Sequence, residues 1–149
     1  MRYDGDHQHT PLITQILSQH FCFHSFCPEV FIGLGVPRPP IQLIATSNGI
    51  RCQGVEPPHN DVTAKLARAG KQPWMKNLSG YIVKSRSPSC GNGTVKVHHE
   101  QHIDTDGIGV FTQQLQLHYP NIPIIEETAL EDPRARQDFI RQVMQYHST

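Results

Sequence analysis

Apolar side chains along the 149-residue chain recur with two periods, one typical of helices and one typical of strands. A helical spacing of three and four residues occurs in four segments. These predicted helices cover residues 11 to about 20, 62–69, about 107 to 118, and 133–144. Thr10, Asp61 (or Asn60) and Asp132 precede three of them and are suited to accept hydrogen bonds from the first turn of a helix.

Short apolar or alternating runs between these helices predict strands. The predicted strands cover residues 21–26, 41–45, 51–55, 80–84, 94–99 and 121–125. The sequence "SNGI" between the second and third of these strands is typical of a hairpin turn. The alternation in residues 94–99 is the pattern expected of an edge strand.

Strands and helices therefore alternate along the chain, which predicts an α/β fold with a mainly parallel, Rossmann-like sheet and helices on both faces. A chain of this length is expected to form a single domain over residues 1–149. In such sheets ligands bind beyond the carboxyl ends of the strands, so side chains at strand ends are the first candidates for a site.

Charge and hydropathy exclude several classes of partner. Thirteen basic and thirteen acidic residues balance, so the chain lacks the positive surface expected of a protein that binds duplex nucleic acid. It has no apolar run of membrane-spanning length and no export signal, which together predict a cytoplasmic protein without a membrane partner. The pattern does not indicate an oligomeric state.

The chain contains ten histidines, most of them in polar segments. We expect His98, His99 and His102 to be solvated surface imidazoles and not metal ligands, because they lie in a polar segment and not on one face of a predicted helix.

Four cysteines, Cys22, Cys27, Cys52 and Cys90, are irregularly spaced, and the lack of an export signal argues against a disulfide framework. Cys27 in "FCPEV" and Cys90 in "SPSCG" each follow a predicted strand. A doubly wound sheet would bring both to one edge although they are far apart in sequence.

Two interpretations of Cys27 and Cys90 remain open on pattern alone. Each thiol can be a small apolar side chain in the core, since cysteine is among the most buried residue types. Alternatively each is an anchored ligand, because Pro28 and Pro88 stiffen the two loops and Gly91 permits close approach.

The cysteine loops belong to a longer compound signature. The segments "RYDG", "CPEV" with "IGLGVPRPP", "DVT", "SGYIVKSRSPSCG" and "DPRARQDFIRQVMQY" occur in the order and context of the bacterial thiouracil desulfurase family, which the chain resembles over essentially its whole length. The resemblance implies an iron-sulfur-dependent desulfidase. Its expected substrate is a small thionucleobase such as 2-thiouracil, desulfurated by hydrolysis without net electron transfer.

The same resemblance implies a 4Fe-4S cluster held by three cysteines. Cys27 and Cys90 match two of them. The third lies in the family within a "Cys-Leu-x-Gly" turn shortly before "RYDG", so it is expected upstream of Met1. Cys22 is an alternative third ligand, and Cys52 is expected to be a strand residue without a role.

Further roles follow from the same motif matching. Glu29 is expected to act as general acid or base beside the cluster, and Ser87 to orient the attacking water or relay a proton. The expected contacts to substrate or to cluster sulfurs are Tyr3, Asp4, Arg38, Ser89 and Gly91.

The rival hypothesis is a cluster-free, catalytically inactive paralogue or thionucleobase-binding module on the same scaffold. It follows from the expectation that one ligand lies outside this sequence.

Overall fold

The computed structural model describes residues 11–35 and 39–148. Its helices are α1 (Pro11–Ser18), α2 (Pro28–Phe31), α3 (Thr63–Ala69), α4 (Val110–His118) and α5 (Pro133–His147), with 3-10 turns at Pro73–Asn77 and Glu127–Glu131. Its strands are β1 (Ile41–Thr46), β2 (Gly49–Gly54), β3 (Tyr81–Val83), β4 (Asn92–His98), β5 (Ile103–Ile108) and β6 (Ile124–Glu126).

Four strands form a mixed sheet in the order β2-β1-β4-β5. The β1–β2 and β4–β5 pairs are antiparallel, and the β1–β4 pair between them is parallel. The predicted "SNGI" hairpin is confirmed: Thr46 pairs with Gly49, whose φ of +93° lies in the region that favours glycine.

The two remaining strands, β3 and β6, pair in parallel as a separate two-stranded sheet. The α/β class is thus confirmed, but a mainly parallel Rossmann-like sheet is wrong, because two of the three pairs in the larger sheet are antiparallel. Both antiparallel pairs are hairpins, and a short turn between consecutive strands can only produce that direction.

Three local predictions are also wrong. Residues 21–26 form no strand and pair with no neighbour among the described residues. The strand predicted at 94–99 is β4, which lies between β1 and β5 and not at an edge. The helix expected from about residue 107 begins at Val110, and β5 precedes it.

The other predicted elements are present at nearly the expected positions. For α5, Asp132 caps the N-terminus as predicted, since its carboxylate accepts a hydrogen bond from the Arg134 amide at 3.1 Å. The predicted cap Thr10 lies outside the described residues. Asp61 accepts from the Thr63 amide at 2.9 Å at the start of α3.

Buried apolar side chains form three clusters. The first lies between β1, β2, β4 and α3, and includes Leu43 and Leu66. The second joins α1 to α5 through Leu17 and Phe139. The third contains Phe111 of α4, and Cys90 packs against its edge, so the cysteine loop adjoins the core. None of the described helices is both long and apolar enough to cross a bilayer.

Candidate functional site

The segment from Ser87 to Gly91 forms a tight turn between β3 and β4. The Ser87 carbonyl accepts hydrogen bonds from the amides of Cys90 (3.2 Å) and Gly91 (2.8 Å). The Ser87 hydroxyl oxygen accepts from the Cys90 amide as well, at 3.1 Å. The turn therefore uses its own backbone groups to fix the position of Cys90.

Helix α4 anchors this turn from outside. The first helical amides donate to carbonyls of the turn, Val110 to Pro88 at 3.1 Å and Phe111 to Ser89 at 2.9 Å. These amides have no partner within the helix, so the turn replaces a side-chain cap.

Gly109, directly before α4, allows the helix to lie close to the backbone of Ser89 and Cys90. Its amide donates to the Gly91 carbonyl at 2.7 Å. A Cβ atom at Gly109 would lie 2.3 Å from the Ser89 carbonyl carbon and 2.4 Å from the Cys90 nitrogen. The role of Gly109 is not visible in the sequence, because its contacts are with backbone atoms about twenty positions earlier in the chain.

Two consecutive carboxylates hold the flanks of the cysteine loop. Glu127 accepts from the amide and the hydroxyl of Ser85 at 2.7 and 2.9 Å. Glu126 accepts from the Asn92 amide at 3.0 Å and from the Thr94 hydroxyl at 2.5 Å. The roles of Glu126 and Glu127 are not visible in the sequence either, since their partners lie more than thirty positions earlier in the chain.

The second cysteine, Cys27, occupies the N-cap position of α2 and does not end a strand as predicted. Pro28 is the first helical residue, a position that needs no amide hydrogen. The Cys27 carbonyl accepts from the Phe31 amide at 2.9 Å, and Glu29 lies in the first turn.

The two cysteine loops meet through a hydrogen-bonded chain of three side chains. The buried Ser89 hydroxyl donates to the Glu29 carboxylate at 2.6 Å, across 60 positions of sequence. The Ser87 and Ser89 hydroxyl oxygens are 3.0 Å apart. Because the single hydroxyl hydrogen of Ser89 is engaged by Glu29, Ser87 is the donor in this second contact.

The thiol of Cys90 is held in its neutral form by its surroundings. Burial raises its pKa to about 12; the neighbouring polar groups of Ser89 and Ser87 lower the pKa, and the charges of Glu29 and Cys27 raise it. These electrostatic effects place Cys27, Glu29 and Cys90 in one neighbourhood. Positive charge is needed there to stabilise two thiolates together.

Tyr81 of β3 is a further residue of this neighbourhood that sequence analysis did not identify. Burial raises the pKa of its hydroxyl, and the nearby Cys90 and Cys27 raise it further. The hydroxyl is buried and has no hydrogen-bond partner among the described residues. An unpaired buried hydroxyl beside two thiols is suited to donate to a sulfide or to a polar ligand.

The other two cysteines lie elsewhere. Cys52 is fully buried in the first core cluster, where desolvation raises its pKa to about 12, so it is the structural residue that was expected. Cys22 is exposed in the segment before α2. No disulfide joins the four cysteines, all of which are described.

Cys27 and Cys90, which match two cluster cysteines of the family by motif, thus lie on two loops that the Ser89–Glu29 hydrogen bond joins. In the described part of the chain, no group of three histidine, cysteine or carboxylate ligand atoms within 4.8 Å of one another includes Cys27 or Cys90. Tyr3, Asp4 and Arg38 lie outside the described residues, so their roles stay predictions. The Gly91 amide donates to Ser87 and the Gly91 carbonyl accepts from Gly109, and the predicted substrate contact of Gly91 stays a prediction.

Comparison with known proteins gives two matches. A solved structure described as the 4Fe-4S-dependent thiouracil desulfidase TudS is similar to this chain, with a TM-score of 0.63 and 25% identity over 91% of this chain and 87% of that one. No curated protein matches. The sequence profile of the family described as 2-thiouracil desulfurase matches residues 1–127, which include both cysteine loops and the carboxylates that hold them. The chain belongs to the 2-thiouracil desulfurase family.

Proposed function

We propose that this protein is a desulfidase that removes sulfur from thiolated pyrimidines such as 2-thiouracil, with a 4Fe-4S cluster as cofactor. Family membership and the similarity to a 4Fe-4S-dependent thiouracil desulfidase support the reaction class. The observation that carries the proposal is the 2.6 Å hydrogen bond from Ser89 to Glu29, because it joins the two cysteine loops around one carboxylate.

Cys27 and Cys90 are the residues of this chain that would hold the cluster. An iron without a protein ligand supplies a soft Lewis acid, which prefers the sulfur of a thiocarbonyl to oxygen. Two thiols near each other and the unpaired Tyr81 hydroxyl beside them support the proposal that a cluster binds here.

Glu29 is the proposed acid and base. As a carboxylate it takes a proton from the water that adds to the thiocarbonyl carbon, and it returns that proton when the carbon–sulfur bond breaks. The balanced reaction converts thiouracil and water into uracil and hydrogen sulfide, so no electron acceptor is required.

Ser89 and Ser87 position this carboxylate. The Ser89 hydroxyl donates to one carboxylate oxygen of Glu29 and so fixes the orientation of the carboxylate. Ser87 donates to Ser89, so the three groups form a path along which a proton can move towards or away from Glu29.

Glu29→Gln tests this role. After anaerobic reconstitution, the variant is expected to keep its iron and sulfide but to convert 2-thiouracil at least about a hundredfold more slowly, measured by the loss of thiouracil absorbance. Glu56→Gln, which changes an exposed carboxylate in a loop, is the matched control and retains wild-type turnover. Unchanged turnover in Glu29→Gln removes the proposed role.

Iron and sulfide counts test the cluster itself. Cys27→Ser and Cys90→Ser are each expected to lose iron, whereas Cys52→Ala is expected to retain it. Cys22→Ser decides whether that exposed cysteine supplies the third thiolate. A reconstituted wild-type chain that binds thiouracil without iron or sulfide supports the cluster-free binding module instead.

A further inference from the structure

The turn of the β4–β5 hairpin carries two histidines that face each other. His98 and Ile103 form the last strand pair, and beyond it the His99 amide donates to the His102 carbonyl at 2.9 Å. His99 and His102 therefore lie directly opposite, with their side chains on the same face. Asp104 follows His102 by two positions and projects from that face too.

The three side chains converge on one point. The Nε2 atom of His99 lies 2.8 Å from one Asp104 oxygen, and that of His102 lies 3.5 Å from the other. The imidazole rings stack with centroids 4.1 Å apart and planes 9° from parallel. One potential ligand atom from each residue lies within 4.8 Å of the other two, and no other such trio occurs in the described part of the chain.

We propose that His99, His102 and Asp104 bind a divalent transition-metal ion, best matched by Zn²⁺. Two imidazoles and one carboxylate are ligands that Zn²⁺ takes in sites that keep a further position for water. Tetrahedral bonds of about 2.0–2.1 Å place ligand atoms about 3.3 Å apart, so the trio needs to contract by about 1.5 Å at most. Rotation of the side chains allows this contraction, because the side chains of His99 and His102 are 30% and 61% exposed.

The charges of these three side chains suit a metal ion. Two protonated imidazoles in a parallel stack repel each other, and Asp104 neutralises only one of them. Two neutral imidazoles and one carboxylate instead suit a dication. Binding uses the Nε2 lone pairs, so each neutral imidazole carries its single N–H hydrogen on Nδ1 when the metal ion is bound, and no net proton is released.

This site is separate from the cysteine site, and the proposal does not depend on the desulfidase proposal. The turn is at the far end of the hairpin from Gly91 and Gly109, which join the cysteine loop. Eight residues of extended chain separate His99 from Gly91, roughly 25 Å.

The test uses the full chain with Cys27→Ser and Cys90→Ser, so that thiols of the other site do not compete for metal. Isothermal titration calorimetry with Zn²⁺ is expected to show one ion per chain. His102→Ala and Asp104→Asn, both in exposed positions, are each expected to weaken Zn²⁺ binding by at least about tenfold, since even loss of an outer-shell partner has that effect. Glu100→Gln removes a charge from the same turn without removing a ligand, and it is expected to change the affinity less than twofold.

Co²⁺ provides a second readout. Ligation by nitrogen and oxygen alone gives weak visible bands without the intense near-ultraviolet bands of cobalt–thiolate bonds. Circular dichroism verifies that each variant is folded. Zn²⁺ affinity that is equal in His102→Ala and its parent overturns the proposal, as does thiolate character in the Co²⁺ spectrum.

Discussion

Gly109→Ala is the substitution that most directly tests how the cysteine loop is held. The backbone of Gly109 has φ −62° and ψ 149°, which any residue adopts without strain. On backbone grounds alone, alanine there would stabilise the protein by about 0.4–1 kcal/mol through the unfolded state. The close contact of an added Cβ with the cysteine loop predicts a loss of stability instead.

The magnitude follows from the contacts of the added methyl group. A Cβ at this position lies 2.3, 2.4 and 2.5 Å from the Ser89 carbonyl carbon, the Cys90 nitrogen and the Ser89 oxygen. All three are backbone atoms, so the loop and helix α4 must separate. Overpacking costs about 1–3 kcal/mol, and weakening of the Gly109–Gly91 and Phe111–Ser89 hydrogen bonds adds about 1 kcal/mol each. We expect a net loss of about 2–4 kcal/mol.

Urea denaturation followed by circular dichroism measures this loss. Gly54→Ala is the matched control: a Cβ there meets its nearest atom, the Glu56 carbonyl oxygen, at an ordinary 3.5 Å, and its stability is expected to stay within about 1 kcal/mol of wild type. Faster alkylation of Cys90, followed by peptide mass spectrometry, is expected only in Gly109→Ala. A Gly109→Ala protein as stable as wild type would refute the close-approach argument.

Three further predictions concern single side chains. Arg51 holds the pKa of Asp61 at about 2, below its ordinary 3.8. This carboxylate therefore stabilises the fold above about pH 4, and its contribution is lost as the pH falls towards 2. In thermal unfolding, Asp61→Asn is expected to lose less stability than wild type between pH 4 and pH 2. Tyr81→Phe removes an unpaired buried hydroxyl and is expected to stabilise the metal-free protein by about 1 kcal/mol in urea titrations, yet to slow thiouracil turnover; a destabilised variant would indicate a partner for the hydroxyl. Glu127→Ala leaves the amide and hydroxyl of buried Ser85 unpaired and is expected to cost about 2–3 kcal/mol by the same titration; a loss below 0.5 kcal/mol contradicts this anchor.

Elements determined by local sequence were predictable. Helix α5 has a capping aspartate, a proline at its first position and a regular apolar face, all of which act within a few residues of each other. Strand β5 was missed because residues 103–106 are exposed, so no apolar alternation marks it. It exists because β4 pairs with it across a short turn, and pairing is not visible in the composition of one strand.

The candidate site, like the fold, was predictable where local sequence determines it and not where distant contacts do. The roles of Cys27, Glu29 and Cys90 come from motif resemblance and stay predictions, whereas the expected meeting of the two loops is present as the Ser89–Glu29 contact. The predicted reason, two strand ends at one parallel edge, is wrong, because Cys27 starts a helix. Residues that hold the loop from a distance were not predictable, since each acts through backbone groups of a partner far along the chain.

The anchors of the cysteine loop also set an order for biosynthesis. Strand β3 pairs with β6, and the loop after β3 is held by Glu126 and Glu127, which leave the ribosome about forty residues after Ser85. A nascent chain that ends between Cys90 and Glu126 contains both Cys27 and Cys90 but lacks the two glutamates that fix the loop. The fixed geometry of the cysteine loop is therefore completed late in synthesis, once β6 and the two glutamates have emerged.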